Sequence, residues 1–320
     1  FTNPTWEVIE KPTGSTVQFG NAKVIDTSNQ IITFIPDLAG TYKVKVTVDT
    51  KTAEMVFNAA LYWGVEGGPV SCKTCHQNTI NNIPDLYNAW VNTNHAIDTK
   101  KGFDGELSSH FQEFCLACHS TGYDPDADND GFDDFPFVFP SVLQPGTYNQ
   151  MVALYPDAMA RANVQCEACH GPGSNHLSQI DNAKIDVTLS SDVCAYCHKE
   201  GSHHNIPLQW DLSAHGAGTT IFSGASRYTC TPCHNGQGFV DFAKGDPQSV
   251  QVNIPITCAS CHDPHYATNS HQLRKVTATL TNGLQVTDAG TGGLCINCHR
   301  TRREAVSYVT NYLNSLSTHF

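Results

Sequence analysis

The chain has 320 residues, with 18 Lys and Arg against 30 Asp and Glu, for a formal charge of -12. That acidity argues against nucleic acid or an anionic membrane surface as partner, and no apolar run approaches the ~18–20 residues of a membrane span. The length suits two ordinary domains, and the 14 cysteines and 16 histidines divide it, since residues 1–71 hold neither.

The first domain is placed at 1–63. Strands are expected between residues 5 and 58, because apolar and polar residues alternate there. Tyr42, Val44, Val46 and Val48 share one face, and Gln30–Ile35 and Thr52–Phe57 are further strands. Phe34-Ile-Pro-Asp-Leu-Ala-Gly-Thr-Tyr42 resembles the tyrosine-corner region of immunoglobulin-like sandwiches. The resemblance implies a small immunoglobulin-like β-sandwich domain, short of the ~100 residues of a full one. It serves as a spacer, or as an assembly module with an open sheet edge.

From residue 64 to 320 one pattern dominates. Cys-x-x-Cys-His occurs as Cys72, Cys75 and His76; Cys115, Cys118 and His119; Cys166, Cys169 and His170; Cys194, Cys197 and His198; Cys230, Cys233 and His234; Cys258, Cys261 and His262; and Cys295, Cys298 and His299. These seven sets use every cysteine. On a helical turn, residues three and four apart share a face. Both thiols can thus bond one edge of a porphyrin while the histidine meets the iron, which is the attachment signature of c-type haem. Zinc sites or redox dithiols could explain one copy, but not seven with no cysteine spare. About 37 residues remain per haem, so the haems form much of the core. The fold expected of 64–320 is a mostly irregular, haem-packed heptahaem domain with a few short α-helices. Covalent haem attachment occurs outside the cytoplasmic membrane. The chain begins at Phe1 rather than Met, so an export signal is expected to have been removed.

The sixth iron ligand decides between conduction and catalysis. Nine histidines lie outside the motifs, enough for seven irons, whereas there are three methionines. In chain order, a helix opened near Pro84 is expected to present His95, and His110 precedes the second motif. Asp126, Asp128, Asp130 and Asp134 follow in Asp-x-Asp-x-Asp-Gly spacing, a candidate Ca2+ loop lacking the EF-hand glutamate at position 12. The other reading is a solvated acidic turn. His176 and His265 follow Pro turns that carry them from their own motifs toward a neighbouring one. His203 and His204 are adjacent, so one is spare. His215 repeats the setting of His95, as Trp-x-x-Ser/Thr-x-His. His271 and His319 are the weakest candidates. Val306, Val309, Leu313 and Leu316 make a helical stripe, expected to pack on the haem core.

These segments resemble the multihaem cytochrome c superfamily, in which Trp-x-x-Ser-x-His and Cys-His-Gly-Pro-Gly-Ser-x-His often supply distal ligands. The resemblance implies haems in stacked and T-shaped pairs across residues 72–300. The nitrite-reductase branch carries a Cys-x-x-Cys-Lys motif, which this chain lacks. The haem density, acidity and β module also resemble subunits of extracellular cytochrome filaments, or nanowires, which implies homopolymers with haem contact between subunits. The leading expectation is therefore extracellular electron transfer through seven bis-histidine haems, toward other cytochromes or extracellular acceptors, with no catalytic residue required. The competing expectations are an oxidoreductase with one open haem acting on a small nitrogen or sulfur oxyanion, and a monomeric periplasmic shuttle.

Overall fold

The structure is a computed structural model that describes residues 4–20, 23–24, 30–79, 83–108, 110–179, 185–199, 205–218, 220–246, 250 and 252–317. The chain separates into two compact units, Phe1–Val187 and Thr188–Phe320. The boundary expected at 63/64, and the first histidine at His76, therefore both fall inside the first unit.

In the first unit, β1 (Thr5–Glu10), β4 (Gly40–Val48) and β5 (Lys51–Ala59) form one antiparallel sheet in the order β1-β4-β5. Asp49, at φ 54°, lets the chain reverse between β4 and β5. β2 (Lys23–Val24) and β3 (Gln30–Ile31) pair as a separate ribbon. The strand expected over 30–35 ends at Ile31, and Pro36 soon follows. Phe34 joins the core by its ring instead, packing on Phe19, Tyr42 and Phe57. Among the described residues there is thus a sheet and a ribbon, without the second full sheet of a sandwich.

The tyrosine corner does form. Tyr42 is fully buried, and its hydroxyl donates to the Leu38 carbonyl at 2.8 Å. The corner is held by Asp37, which accepts from the hydroxyls of Ser15 at 2.6 Å and Tyr42 at 3.1 Å, and from Thr16. The Ser15 bond, with those from Thr16 and Tyr42, keeps the Asp37 carboxyl well below the usual carboxylate range despite some desolvation. A depressed folded pKa gives stability that is present above the unfolded value of about 3.9 and is lost as pH falls through the folded value. Hydrogen exchange over residues 4–59 should therefore stay slow down to about pH 4 and accelerate below it. Asp37→Asn should flatten that acid limb.

The rest of the unit is short helices around an apolar cluster. α1 (Cys72–His76), α2 (Tyr87–Trp90), α3 (Asp98–Phe103), α4 (Leu116–His119), α5 (Thr147–Leu154), α6 (Pro156–Met159), α7 (Cys166–His170) and α8 (Ser174–Gln179) follow in order. Phe103, Phe111, Leu116, Phe132, Met151 and Met159 make the buried cluster. Two of the three methionines thus pack as core, and Met55 lies exposed on β5.

The second unit contains α9 (Ser191–His198), α10 (Ile206–Asp211), α11 (Thr231–His234), α12 (Gly236–Lys244), α13 (Cys258–Cys261), α14 (Gly292–Ile296) and α15 (Ala305–Ser317), with a ribbon of β6 (Ala278–Thr279) and β7 (Gln285–Val286). Helices as short as α9 to α14 cannot stand on propensity alone; α9 and α12 start on side-chain caps from Ser190 and Asn235, and α13 on a capping box of Thr257 and Ser260. α15 is the expected helix, and the rest of the chain leaves its apolar stripe exposed. Val306 and Leu313 are 72% and 56% exposed. Periodicity fixes which face is apolar, not what covers it. Among the described residues no helix is long and apolar enough to cross a membrane.

Candidate haem-attachment sites

All seven motifs lie on short helical turns, as their spacing requires. The turn is closed by the histidine amide donating to the first cysteine's carbonyl, at 3.1 Å for His234, 2.9 Å for His262 and 2.8 Å for His299. Helix starts are set by capping. Ser71 N donates to Thr74 Oγ1 at 3.2 Å before the first motif, and Thr257 N to Ser260 Oγ at 3.0 Å before the sixth. Ser190 Oγ accepts from Asp192 N ahead of the fourth. The turn ends where Gln77, Ser120, Asn235 and His262 adopt extended backbone. None of the fourteen cysteines is in a disulfide, and all are at least partly accessible.

The residues inside the motifs fasten them to the fold, which the sequence reading missed. Leu116 and Thr231 are almost fully buried and Ser260 is fully buried. Asn297 Nδ2 donates to the carbonyls of Gly293, Thr277 and Lys275 at 3.0, 3.1 and 3.2 Å. Glu167 accepts from the amides of Gly173 at 2.6 Å, Gly64 at 2.7 Å and Trp63 at 3.0 Å. Their signal was a polar or branched residue between two cysteines.

The structure also brings motifs together. Cys72 touches Cys166, Cys194 touches Cys258, and Cys233 touches Cys298. Each contact perturbs its free thiols. The bond to Cys166, with burial, pushes Cys72 up. The bond from Cys194 draws Cys258 down to about 6, and that from Cys298 draws Cys233 to about 7, in each case against desolvation. Within the units, motif one thus meets motif three, four meets six, and five meets seven.

The second cysteines of the first, second and fourth motifs, Cys75, Cys118 and Cys197, sit half-buried on α1, α4 and α9. Each immediately precedes its motif histidine, His76, His119 or His198. Burial pushes the Cys169 thiol up. It pushes Cys261 up too, to about 11, with help from Cys295 and Cys258.

The motif histidines fit an iron ligand. His262 Nδ1 faces the His271 carbonyl at 2.7 Å, and His170 Nδ1 faces the Asp186 carbonyl. An imidazole whose Nδ1 proton is held by a carbonyl presents Nε2 to a metal in one orientation. His119 Nδ1 lies 3.8 Å from Asp98, and Thr99 Oγ1 donates to its carbonyl. The Phe222 ring packs edge-on to His234 at 4.9 Å.

The candidate distal histidines are placed unevenly. Burial lowers the His76 pKa, and the nearby imidazoles of His176 and His170 lower it further. His215 stands 5.9 Å from His299, ring centre to ring centre. The His95 carbonyl accepts from Val164 N at 3.0 Å, two residues before the third motif. His265 Nδ1 pairs with Asp263 at 3.3 Å. His271 is exposed and contributes its carbonyl to His262. His110 is exposed, and its amide donates to Ser108 Oγ at 3.0 Å. His203, His204 and His319 lie outside the described residues.

Among the described residues no three His, Cys, Asp or Glu side chains converge closely enough to hold a metal ion. Cys75, Cys118 and Cys197, like the other motif cysteines, therefore stand in no bare metal cluster. Two thiols and one imidazole on a turn instead suit a porphyrin edge and its iron. In the acidic loop, Asp134 Oδ2 accepts from the amides of Asn129 at 2.8 Å and Gly131 at 3.0 Å. Among the described residues, no three of Asp126, Asp128, Asp130 and Asp134 converge into an ion site.

Residues 71–137 match the family of cytochrome c554 and c-prime. That stretch holds the first two motifs and His95. Over 161 residues the chain is 29% identical to the multiheme cytochrome MtrA of Shewanella baltica (strain OS185), covering 44% of each chain. The chain therefore spans less than half the length of that relative. No solved structure matches. Together with the repeated motif, these likenesses support a multihaem c-type cytochrome. Electron transfer is the general role they support.

Proposed function

We propose that the chain carries electrons outside the cytoplasmic membrane through seven closely packed c-type haems, each ligated by two histidines. The observation that supports this most is the contact between cysteines of different motifs. A thioether fixes a porphyrin edge beside its cysteine, so touching cysteines hold two porphyrin edges side by side. Close edges are what rapid electron tunnelling needs. When bound, haem iron supplies the one-electron chemistry between ferric and ferrous states. The chain sets the edges with its cysteines, Cys75, Cys118 and Cys197 giving the second bond of their sites. It orients the motif imidazoles through carbonyls such as those of Asp186 and His271. Histidine on both faces, with Met151 and Met159 buried in an apolar cluster, favours low potentials.

The test is low-temperature EPR of the oxidised holoprotein. Only low-spin ferric signals are expected. A stoichiometric high-spin signal would mean an open haem and would favour an oxidoreductase acting on a small oxyanion. The finer reading is an extracellular homopolymer in which haem rows continue between copies, exchanging electrons with other cytochromes and extracellular acceptors. The exposed outer strand β5, with Met55 and Val56 accessible, supports it, because such edges pair readily. Negative-stain microscopy should show filaments. Discrete particles at every concentration would leave a monomeric shuttle.

A further inference from the structure

The two units contain the same local device. Trp90-Val-Asn-Thr-Asn-His95 and Trp210-Asp-Leu-Ser-Ala-His215 each form a turn closed by a backbone bond. Thr93 N donates to Trp90 O at 2.8 Å, and Ser213 N to Trp210 O at 2.9 Å. In each, the hydroxyl residue caps an amide just beyond it. Ala96 N donates to Thr93 Oγ1 at 3.4 Å, and His215 N to Ser213 Oγ at 3.2 Å.

The indoles then reach equivalent places. Trp90 Nε1 donates to the Val164 carbonyl at 3.2 Å, two residues before Cys166. Trp210 Nε1 donates to the Ile256 carbonyl at 2.8 Å, two residues before Cys258. Cys166 is the cysteine that touches Cys72, and Cys258 the one that touches Cys194. The sequence separations differ, at 74 and 46 residues, so chain spacing does not impose the match. What the two places share is a pair of touching motifs.

We propose that Trp90 and Trp210 are positioning residues for haem ligation. Each indole ties a histidine-bearing turn to the backbone leading into a paired motif, and so fixes where the histidine five residues on can stand. For Trp210 the receiving haem can be named. The rings of His215 and His299 lie 5.9 Å apart with planes at 65°. Two imidazoles on opposite faces of one metal, each bonded at about 2 Å, have centres roughly 6 Å apart. His215 and His299 would thus both hold the iron of the haem on Cys295 and Cys298. This rests on the bis-histidine reading above.

The test compares the oxidised holoprotein with Trp210→Phe, His215→Ala, their double variant and Trp6→Phe, by low-temperature EPR and spectroelectrochemical titration. Trp6 is a control, since its buried indole nitrogen has no hydrogen-bond partner among the described residues. His215→Ala should convert one of seven low-spin haems to high spin. Trp210→Phe, which keeps an aromatic ring and loses the donor, should leave seven low-spin haems but shift the signal and midpoint of one. The double variant should match His215→Ala, and Trp6→Phe should match wild type. Seven low-spin haems in His215→Ala would overturn the ligand assignment and the proposal with it. A high-spin haem in His215→Ala beside an unchanged Trp210→Phe would overturn the role of the indole alone. Equal disturbance of all haems in Trp210→Phe would show a merely structural residue. A high-spin signal already present in wild type would instead refute the all bis-histidine reading, and the proposal would then stand or fall on whether His215→Ala adds a second.

Discussion

Glu167→Ala is expected to destabilise the first unit by about 3–5 kcal/mol, read as a shifted denaturant midpoint with faster hydrogen exchange in residues 59–76 and 166–176. Glu167 lies between the two cysteines of the third motif and is 2% exposed. Its carboxylate gathers three backbone amides, from Trp63, Gly64 and Gly173. Two of these belong to the segment that joins β5 to the first motif. The third belongs to the turn that leads to His176. Burial pushes the Glu167 carboxyl up, while the amides pull against it. Removing it leaves three amides without an acceptor, two of them on buried glycines, and hydrogen bonds to a charged group are worth about 1.5–3 kcal/mol each. A Cβ at Gly173 would stand 3.0 Å from Glu167 Oε1 and press on the same carboxylate. Glu167→Gln keeps one oxygen but turns an NH2 toward amide donors, so it should recover less than half of the loss. A loss below about 1 kcal/mol for alanine would mean that other contacts hold this segment.

That residue also shows where sequence reading stopped. The seven motifs were legible because covalent chemistry dictates their spacing, and each forms the helical turn expected of it. The tyrosine corner was legible for a similar reason, as its hydrogen bond spans only four residues. Contacts between distant positions leave no such trace. Nothing in the spacing of Cys72 and Cys166 says that they touch, nor that Glu167 would tie residues 63–64 to the third motif. The change of composition after residue 71 was real, and the boundary was drawn just ahead of it at 63/64. The joint is nevertheless bound into the first unit by Glu167, by Gln165 accepting from Val65 N at 2.6 Å, and by Asn129 accepting from Tyr62 N at 2.8 Å. The stripe on α15 was legible as a helix face. The ribbon of β2 and β3 fell short of a second sheet because Pro36 and the loop to Gly40 take the chain out of the ladder.

Asn235→Ala is expected to cost the second unit about 3–4 kcal/mol, measured by chemical denaturation of the holoprotein. Asn235 follows the fifth motif directly and is fully buried. Its Oδ1 caps α12 by accepting from Gly238 N at 3.2 Å. Its Nδ2 donates to Val252 O at 2.7 Å and Phe222 O at 3.0 Å. The cap alone is worth about 1 kcal/mol, and each carbonyl left unpaired adds about 1 kcal/mol or more. Asn235→Asp separates the two parts. It keeps the cap but sets a carboxylate against two carbonyls, so it should be at least as damaging as alanine, whereas an aspartate that restored stability would reduce the role of Asn235 to a cap. The loss should also reach the iron. Phe222 N donates to the His234 carbonyl at 3.3 Å, and its ring packs on the His234 imidazole. Freeing Phe222 therefore loosens the motif histidine of the fifth site. The midpoint of the haem at the fifth motif should move while those of the others hold, which ties this buried amide to ligand orientation as well as to folding.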